Sequence, residues 1–176
     1  MSIILNTKKG RLLQFFSANP TKSHTVREIS RLAKISPTWV SRIAKELEKE
    51  GVVEINEDTN SLKIRAKREL EFTRLKKVLN LNALYSSGVV DCLIEAYHKP
   101  EAIVLFGSYA RGEDTETSDI DIAVLTDRSQ TVDSYIKYEN NLKRKINVRV
   151  LNPKNLTKEF TCSLANGIVL YGYLEI

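Results

Sequence analysis

Two aspartates spaced one residue apart make residues 104–124 the part of this chain best suited to chemistry. An apolar run ends there at Gly107 and Ser108, and a second apolar run contains Asp119 and Asp121. Side chains at positions i and i+2 of a strand point to the same face, so we expect the two carboxylates to project together. Such a pair suits Mg²⁺, which prefers oxygen ligands and completes its shell with water and phosphates. The backbone N–H groups of the Gly-Ser turn can receive such a phosphate.

The whole segment resembles the nucleotidyltransferase superfamily that includes DNA polymerase beta, and most closely its minimal nucleotidyltransferase branch. The family signature is an apolar residue followed by Gly-Ser, a spacer, and then Asp-apolar-Asp-apolar. The matching strings are Phe106-Gly107-Ser108 and Asp119-Ile120-Asp121-Ile122. The Ala-Arg-Gly-Glu string at residues 110–113 and Ser118 are also similar to the minimal branch. The resemblance covers residues 88–176.

The resemblance implies a role for each matched position. Gly107 and Ser108 would bind the triphosphate of ATP or another nucleotide, the glycine by close backbone approach and the serine by its hydroxyl. Asp119 and Asp121 would be the catalytic ligands of Mg²⁺, which bridges phosphate oxygens and neutralises the charge that develops during transfer. Arg111 would contact phosphate or have a structural role.

One position departs from the family pattern. Active members usually have a third carboxylate on the next strand, which we predict at residues 146–151 from its alternating apolar and polar residues. The inward candidates on that strand are Asn147 and Arg149. Asn147 cannot act as a base near neutral pH, and Arg149 would exclude the cation or replace it as a phosphate clamp. Other carboxylates lie off that strand: Glu113, Asp114 and Asp133. We therefore expect weakened metal and nucleotide binding, and slow or absent transfer.

Residues 1–67 predict a helix-turn-helix followed by a β-hairpin. Thr25 and Glu28 have the spacing of a capping box, and Ser36 and Pro37 are suited to the start of the next helix. The predicted helices are residues 8–16, 26–33 and 37–50, and the predicted hairpin strands are residues 52–55 and 62–65. This order resembles the winged helix-turn-helix domains of MarR-like and ArsR-like transcription regulators.

The third predicted helix has one apolar face and one polar face. Its inward stripe at helical spacing is Val40, Ile43, Ala44 and Leu47. In winged helix domains the outward positions near the start of this helix enter the major groove of DNA, and the hairpin contacts phosphates. The DNA-contact candidates are Thr38, Ser41, Arg42 and Lys45 on the helix, with Lys63 and Arg65 on the hairpin. A solvated face is an equally good interpretation of Arg42 or Lys45 taken alone.

Positive charge is concentrated in the first part of the chain. Residues 1–70 contain 14 Lys and Arg against 8 Asp and Glu, whereas residues 71–176 contain 13 against 14. A basic domain of this kind gains affinity for a polyanion through counterion release. Double-stranded DNA is therefore the expected partner.

A linker helix is predicted over residues 68–87, between the first domain and a second domain at residues 88–176. Its apolar stripe can pack on either domain or form a dimer seam, and we expect a homodimer because winged helix regulators commonly dimerise.

The predicted fold class is α+β, with a mixed β-sheet and flanking helices in the second domain. Without a secretion signal or membrane span, and with two buried, reduced thiols at Cys92 and Cys162, we expect a cytoplasmic protein.

These features favour a DNA-binding transcription regulator whose nucleotidyltransferase-like domain lacks an evident third catalytic carboxylate and serves as a sensor or partner-docking module. Nucleotide and divalent metal are its candidate ligands. The alternative is an active Mg²⁺-dependent enzyme that transfers a nucleotidyl group to a protein or nucleic-acid hydroxyl. Minimal nucleotidyltransferases are often antitoxins, so the second interpretation implies a HEPN-type protein partner. A scaffold without any ligand is the third interpretation.

Overall fold

The chain divides into two compact units, Met1–Leu79 and Asn80–Ile176. The computed structural model describes residues 6–58, 61–128, 132 and 134–175. The division falls between Leu79 and Asn80, inside a helix that covers Leu70–Ser87. This helix lies within the segment predicted to be a linker, residues 68–87.

The first unit contains three helices and a small antiparallel sheet, and the predicted helices and hairpin strands are present. Its sheet order is β1-β3-β2. The elements in chain order are α1 (Lys8–Ala18), β1 (His24–Thr25), α2 (Val26–Ala33), α3 (Pro37–Lys49), β2 (Val53–Asp58), β3 (Ser61–Ala66) and the start of α4 (Leu70–Ser87). The core includes Leu12, Phe16, Ile29, Val40, Leu47 and Ile64.

The start of α2 shows how the sequence determines an element boundary. The Thr25 hydroxyl accepts a hydrogen bond from the Glu28 backbone N–H, and the Glu28 carboxylate accepts one from the Thr25 N–H. These bonds satisfy donors that the first turn of a helix leaves open. The hydrogen bond from the Thr25 backbone also lowers the pKa of Glu28. At α3, in contrast, Ser36 occupies the N-cap position but its side chain makes no capping hydrogen bond.

The second unit is built on a four-stranded mixed sheet with the order β6-β5-β4-β7. Strands β5 and β6 are parallel, and the other neighbours are antiparallel. Its elements after α4 are α5 (Val89–Ala96), β4 (Ala102–Phe106), α6 (Gly107–Arg111), β5 (Ile120–Leu125), α7 (Ile136–Leu142), β6 (Ile146–Leu151), a 3₁₀ turn (Pro153–Asn155), α8 (Lys158–Ala165) and β7 (Ile168–Gly172). The α+β class with a mixed sheet and flanking helices is confirmed.

Both faces of this sheet are covered. One cluster contains Ile103 and Ile122 from the sheet with Leu93 from α5, and the other contains Val104 and Ala123 with Leu164 from α8. The alternation follows from the period of two along each strand. Because β4 and β5 are buried on both faces, the side chains at their ends are held in fixed positions.

Both cysteines are free thiols. Cys92 is half-buried, but Cys162 on α8 is exposed, so the prediction of two buried thiols is wrong for Cys162. Within the described ranges, no helix combines the length and apolar character needed to cross a bilayer.

Candidate functional site

The turn after β4 lies directly against one of the two aspartates. Gly107 has φ of +75°, a backbone conformation that side chains disfavour. A Cβ atom built on Gly107 would lie 2.7 Å from Oδ2 of Asp121. A side chain at this position would therefore have to displace the carboxylate and adopt a disfavoured backbone conformation. Ser108 follows at once and is half-buried.

The two aspartates flank the first residue of β5. Asp119 is exposed, just before the strand, and Asp121 is partly buried within it. Between and after them, Ile120 and Ile122 are fully buried, as the alternating pattern predicts. Asp121 is also the register partner of Phe106, the last residue before the Gly107 turn. The pairing of β4 and β5 thus brings Gly107 and Asp121 together.

Asn147 occupies the position beside Asp121 on the neighbouring strand. The two residues are register partners, and Asn147 Nδ2 donates a 3.4 Å hydrogen bond to Asp121 Oδ1. Arg149 lies two pairs further along, opposite Ala123, and its guanidinium carbon is 5.6 Å from the centre of the Phe160 ring. The amide of Asn147, and not the Arg149 guanidinium, is thus the group next to Asp121.

The remaining carboxylates considered from the sequence do not replace a third acid on β6. Glu113 accepts a 2.7 Å hydrogen bond from Arg111 Nε, and both side chains are about half exposed. This ion pair also engages the guanidinium that was predicted to contact phosphate. Asp114 is only 1% exposed. Asp133 lies outside the described residues.

The donor set suits a metal ion that is shared with a phosphate ligand. Within the described part of the chain, no three His, Cys, Asp or Glu residues are clustered so that they could hold a metal. Mg²⁺ is usually bound through one or two carboxylates and completes its shell with water and substrate phosphates. Asp119 and Asp121 supply that number of carboxylates, and the absence of a side chain at Gly107 keeps the turn from displacing the Asp121 carboxylate.

A buried polar cluster adjoins the site, and sequence reasoning missed it. Asn80 Nδ2 donates hydrogen bonds to Asp114 Oδ1 at 2.7 Å and to the Tyr109 carbonyl at 2.9 Å. Arg144 Nη2 lies 3.8 Å from Asp114 Oδ2, and its side chain is 8% exposed. Burial, reinforced by the negative charge of Asp114, raises the pKa of Tyr109. No local sequence pattern predicts this cluster, because Asn80 and Asp114 are 34 residues apart in sequence.

An open groove of about 590 Å³ lies beside Asp119. It is lined by residues 116–119, 139–140 and 143–145, which include Lys143 and Lys145. Neither Gly107 nor Ser108 lines it. The groove therefore adjoins Asp119 without including the turn predicted to bind phosphate.

The first unit exposes the predicted DNA-contact face of α3. Thr38, Arg42 and Lys45 are exposed, and Ser41 is partly buried. The predicted inward stripe is confirmed, since these side chains are all buried: Val40, Ile43, Ala44 and Leu47.

Ion pairs and aromatic contacts modify the charge of that face. Arg42 Nε lies 3.5 Å from Glu46 Oε1, and on the hairpin Arg65 forms an ion pair with Glu54. Trp39 is 39% exposed, and the Lys8 ammonium from α1 lies 4.0 Å from its ring centre. Lys63 on β3 is partly buried. The assignment of these residues to DNA contacts stays a prediction.

A match to a protein family falls within the second unit. Residues 90–175 match the sequence model of the family "Polymerase beta, Nucleotidyltransferase". The second unit contains a nucleotidyltransferase-like domain. This match covers the Gly-Ser turn, both aspartates and Asn147.

Two proteins of Methanocaldococcus jannaschii, both named "Putative protein adenylyltransferase", are similar to part of this chain. One is 42% identical over 53 residues, which are 30% of this chain and 62% of that relative. The other is 54% identical over 37 residues, which are 21% of this chain and 37% of that relative. The chain thus spans less than two thirds of the length of either relative.

A crystal structure described as "a putative nucleotidyltransferase from Sulfolobus solfataricus" is also similar. It is 18% identical, with a TM-score of 0.34, and the alignment covers 55% of this chain and 83% of that one.

Proposed function

We propose that this chain is a DNA-binding regulator whose nucleotidyltransferase-like domain binds a complex of Mg²⁺ and a nucleoside triphosphate but transfers the nucleotidyl group slowly or not at all. The observation that carries this proposal is the position of Asn147, in register with Asp121 on the adjacent strand. An amide cannot accept a proton near neutral pH, whereas a carboxylate at the same place can. The site combines two carboxylates with a neutral neighbour.

Nucleotide binding is supported by the arrangement around Gly107. The bare Cα of Gly107 faces the Asp121 carboxylate, so a phosphate on this turn lies within reach of a cation held by that carboxylate. Ser108 adds a hydroxyl at the same turn. A bound Mg²⁺ would neutralise negative charge on the phosphates. The ligand is ATP or another nucleoside triphosphate.

Slow transfer follows from the chemistry of the Asn147 side chain. Its N–H group donates to Asp121, which orients that carboxylate without adding negative charge. Activation of an attacking hydroxyl by a positioned base typically contributes about 10²–10⁴-fold to a rate. A site without that base keeps its binding function and loses most of its rate.

DNA binding is supported by the charge and form of the first unit. A helix with exposed Thr38, Arg42 and Lys45 precedes a β-hairpin with Lys63 and Arg65, in a segment whose positive residues exceed its negative ones by six. This is the order of a winged helix-turn-helix, in which the helix enters the major groove. We also propose a homodimer, which would place two such helices on two half-sites.

A second candidate function is protein adenylylation. The names of the two relatives favour it, and the groove beside Asp119, which the Gly107 turn does not line, offers space for an acceptor. In this reaction an acceptor hydroxyl oxygen bonds to the α-phosphorus of ATP and the bond to pyrophosphate breaks. Pyrophosphate leaves, and the hydroxyl proton passes to solvent. A HEPN-type protein would be the acceptor.

Calorimetry tests the nucleotide part of the proposal. ATP and GTP are titrated with Mg²⁺ into the wild type, into the Asp119→Asn, Asp121→Asn double variant, and into Asp127→Asn as a matched control on an exposed aspartate. We expect metal-dependent binding by the wild type and the control, and its loss in the double variant. The absence of binding by the wild type would contradict this part of the proposal.

Two further assays separate the candidate functions. Selection from a random duplex library, followed by mobility shift at physiological salt, tests DNA recognition. Failure to select any sequence would overturn the regulator role.

Incubation of the wild type with ATP labelled at the α-phosphate and a cell extract tests adenylylation. Label that enters a protein, and is absent with Asp119→Asn, would favour the second candidate over the first.

A further inference from the structure

The loop that joins α6 to β5 determines where Asp119 lies. It covers residues 112–119 and ends at the first proposed metal ligand. Of the side chains in this loop only that of Asp114 is buried, with 1% of its surface exposed. A carboxylate is costly to bury unless it is paired and hydrogen-bonded, so its burial requires partners.

The partners of Asp114 come from two distant parts of the second unit. Asn80 on α4 donates to Asp114 Oδ1 at 2.7 Å and also to the Tyr109 carbonyl of α6. Arg144, two residues before β6, approaches Oδ2 at 3.8 Å with its side chain almost fully buried. Asp114 therefore joins the end of α6 to the start of the strand that contains Asn147.

Hydrogen bonds from the loop backbone connect the region of Asp114 to Asp119. The Glu113 N–H donates to the Ser108 carbonyl at 3.0 Å, which ties the start of the loop to the phosphate turn. The Thr115 N–H donates to the Ser118 hydroxyl at 2.9 Å, which closes a turn immediately before Asp119. The Ile120 N–H then donates to the Lys145 carbonyl at 2.8 Å. Asp119 thus lies between the hydrogen-bonded turn at residues 115–118 and the bond from Ile120 to Lys145. Asp114, next to that turn, is the buried residue that holds the loop in place.

We propose that Asp114 is a positioning residue of the nucleotide site: held by Asn80 and Arg144, it fixes the loop that presents Asp119 to the metal ion. This inference rests on the proposed nucleotide binding, although its structural part can be tested without nucleotide. Removal of a residue that orients a metal ligand without binding the metal itself typically lowers metal affinity by roughly 10–100-fold.

The test compares Asp114→Asn with Thr126→Val. The first substitution keeps the shape and an oxygen for Asn80 but removes the charge that faces Arg144. The second removes a hydroxyl from another buried polar residue, just beyond the opposite end of β5. Because a lone buried Arg144 can prevent folding, the double variant Asp114→Asn, Arg144→Gln is measured as well.

Amide hydrogen exchange is measured first, without ligand. We expect residues 113–120 to exchange at least about tenfold faster in the Asp114 variants, with the rest of β5 unchanged, and no such local change in Thr126→Val. Unchanged exchange in this loop would overturn the inference, whether or not the wild type binds nucleotide.

The Mg²⁺ dependence of ATP binding is measured next. We expect the Asp114 variants to need about tenfold more Mg²⁺ for half-maximal binding and to approach wild-type affinity at saturating Mg²⁺, while Thr126→Val behaves as the wild type. Equal Mg²⁺ requirements would overturn the role of Asp114 in positioning the metal ligand. A wild type that does not bind ATP would instead contradict the proposed function, and the exchange data alone would then decide whether Asp114 fixes the loop.

Discussion

The candidate functional residues lie close together in the second unit and far apart in the first. In the second unit the turn at Gly107, the carboxylate of Asp121 and the amide of Asn147 are in direct contact or close approach. In the first unit the candidate DNA contacts are spread along one helix face and a hairpin, and some already form ion pairs. Single substitutions should therefore have large effects in the second unit and graded effects in the first.

The largest change should come from Asn147→Asp, which places a third carboxylate beside Asp121. We expect transfer of a labelled nucleotidyl group to rise by at least about a hundredfold, because a positioned base contributes that much or more to proton transfer. The measurement is the rate of label incorporation into protein, with Asn147→Gln as the control that keeps an amide.

The result of this substitution would also sharpen the contrast between the units. A wild type that already transfers at the rate of Asn147→Asp would show that Asn147 does not limit the reaction. The second candidate function would then become the better one, and the site would be an active one despite the amide.

A smaller effect is expected from Gly107→Ala, with Gly88→Ala as its control. Both glycines have positive φ, at +75° and +80°, so both substitutions should cost about 1–2 kcal/mol of stability. Only at Gly107 would the new methyl group press on Asp121, because nothing lies within 4 Å of the corresponding position at Gly88. We expect calorimetry to show about tenfold weaker Mg²⁺-ATP binding for Gly107→Ala alone. Equal affinities in the two variants would refute the close approach as a functional feature.

Substitutions on α3 should lower DNA affinity only by several-fold. Lys45→Ala should have a larger effect than Arg42→Ala, because Glu46 already compensates part of the Arg42 charge at 3.5 Å. Each lost phosphate contact should reduce the salt dependence of binding by about one ion. Fluorescence polarisation across a salt series measures both quantities, and Lys49→Ala at the far end of the helix is the control. Abolition of binding by either substitution would break the contrast between a distributed surface and a concentrated site.

Local sequence patterns predicted most elements of both units. Helix α2 and strand β6 have the predicted bounds, and α3 ends one residue earlier than predicted. These elements follow from caps and from apolar periodicity, which are visible within a few residues. The approach of Asn147 to Asp121 was also predictable, because it requires only that the next strand pair with the one containing the aspartates.

Contacts between distant residues could not be predicted in this way. Asp114 was considered as a substitute metal ligand, but it is buried against Asn80 and Arg144, which lie far from it in sequence. Arg149 was considered as a phosphate clamp, but its guanidinium lies over Phe160 on α8. In each case the side chain's partner belongs to an element whose position only the fold determines.

The smallest effect is expected from Thr25→Ala at the start of α2. The Thr25 hydroxyl accepts from the Glu28 N–H at 3.3 Å, and loss of such a cap typically costs about 1 kcal/mol. Thermal unfolding should therefore shift by a few degrees, while Thr25→Ser, which keeps the hydroxyl, should resemble the wild type. Because the cap lies in the first unit, Mg²⁺-ATP affinity should not change, and DNA affinity should change only slightly through the packing of α2 on α3. A loss of about 1 kcal/mol of stability leaves nearly all of the protein folded, so it should not by itself lower nucleotide binding. A marked loss of nucleotide binding in Thr25→Ala would therefore show that the two units do not act independently.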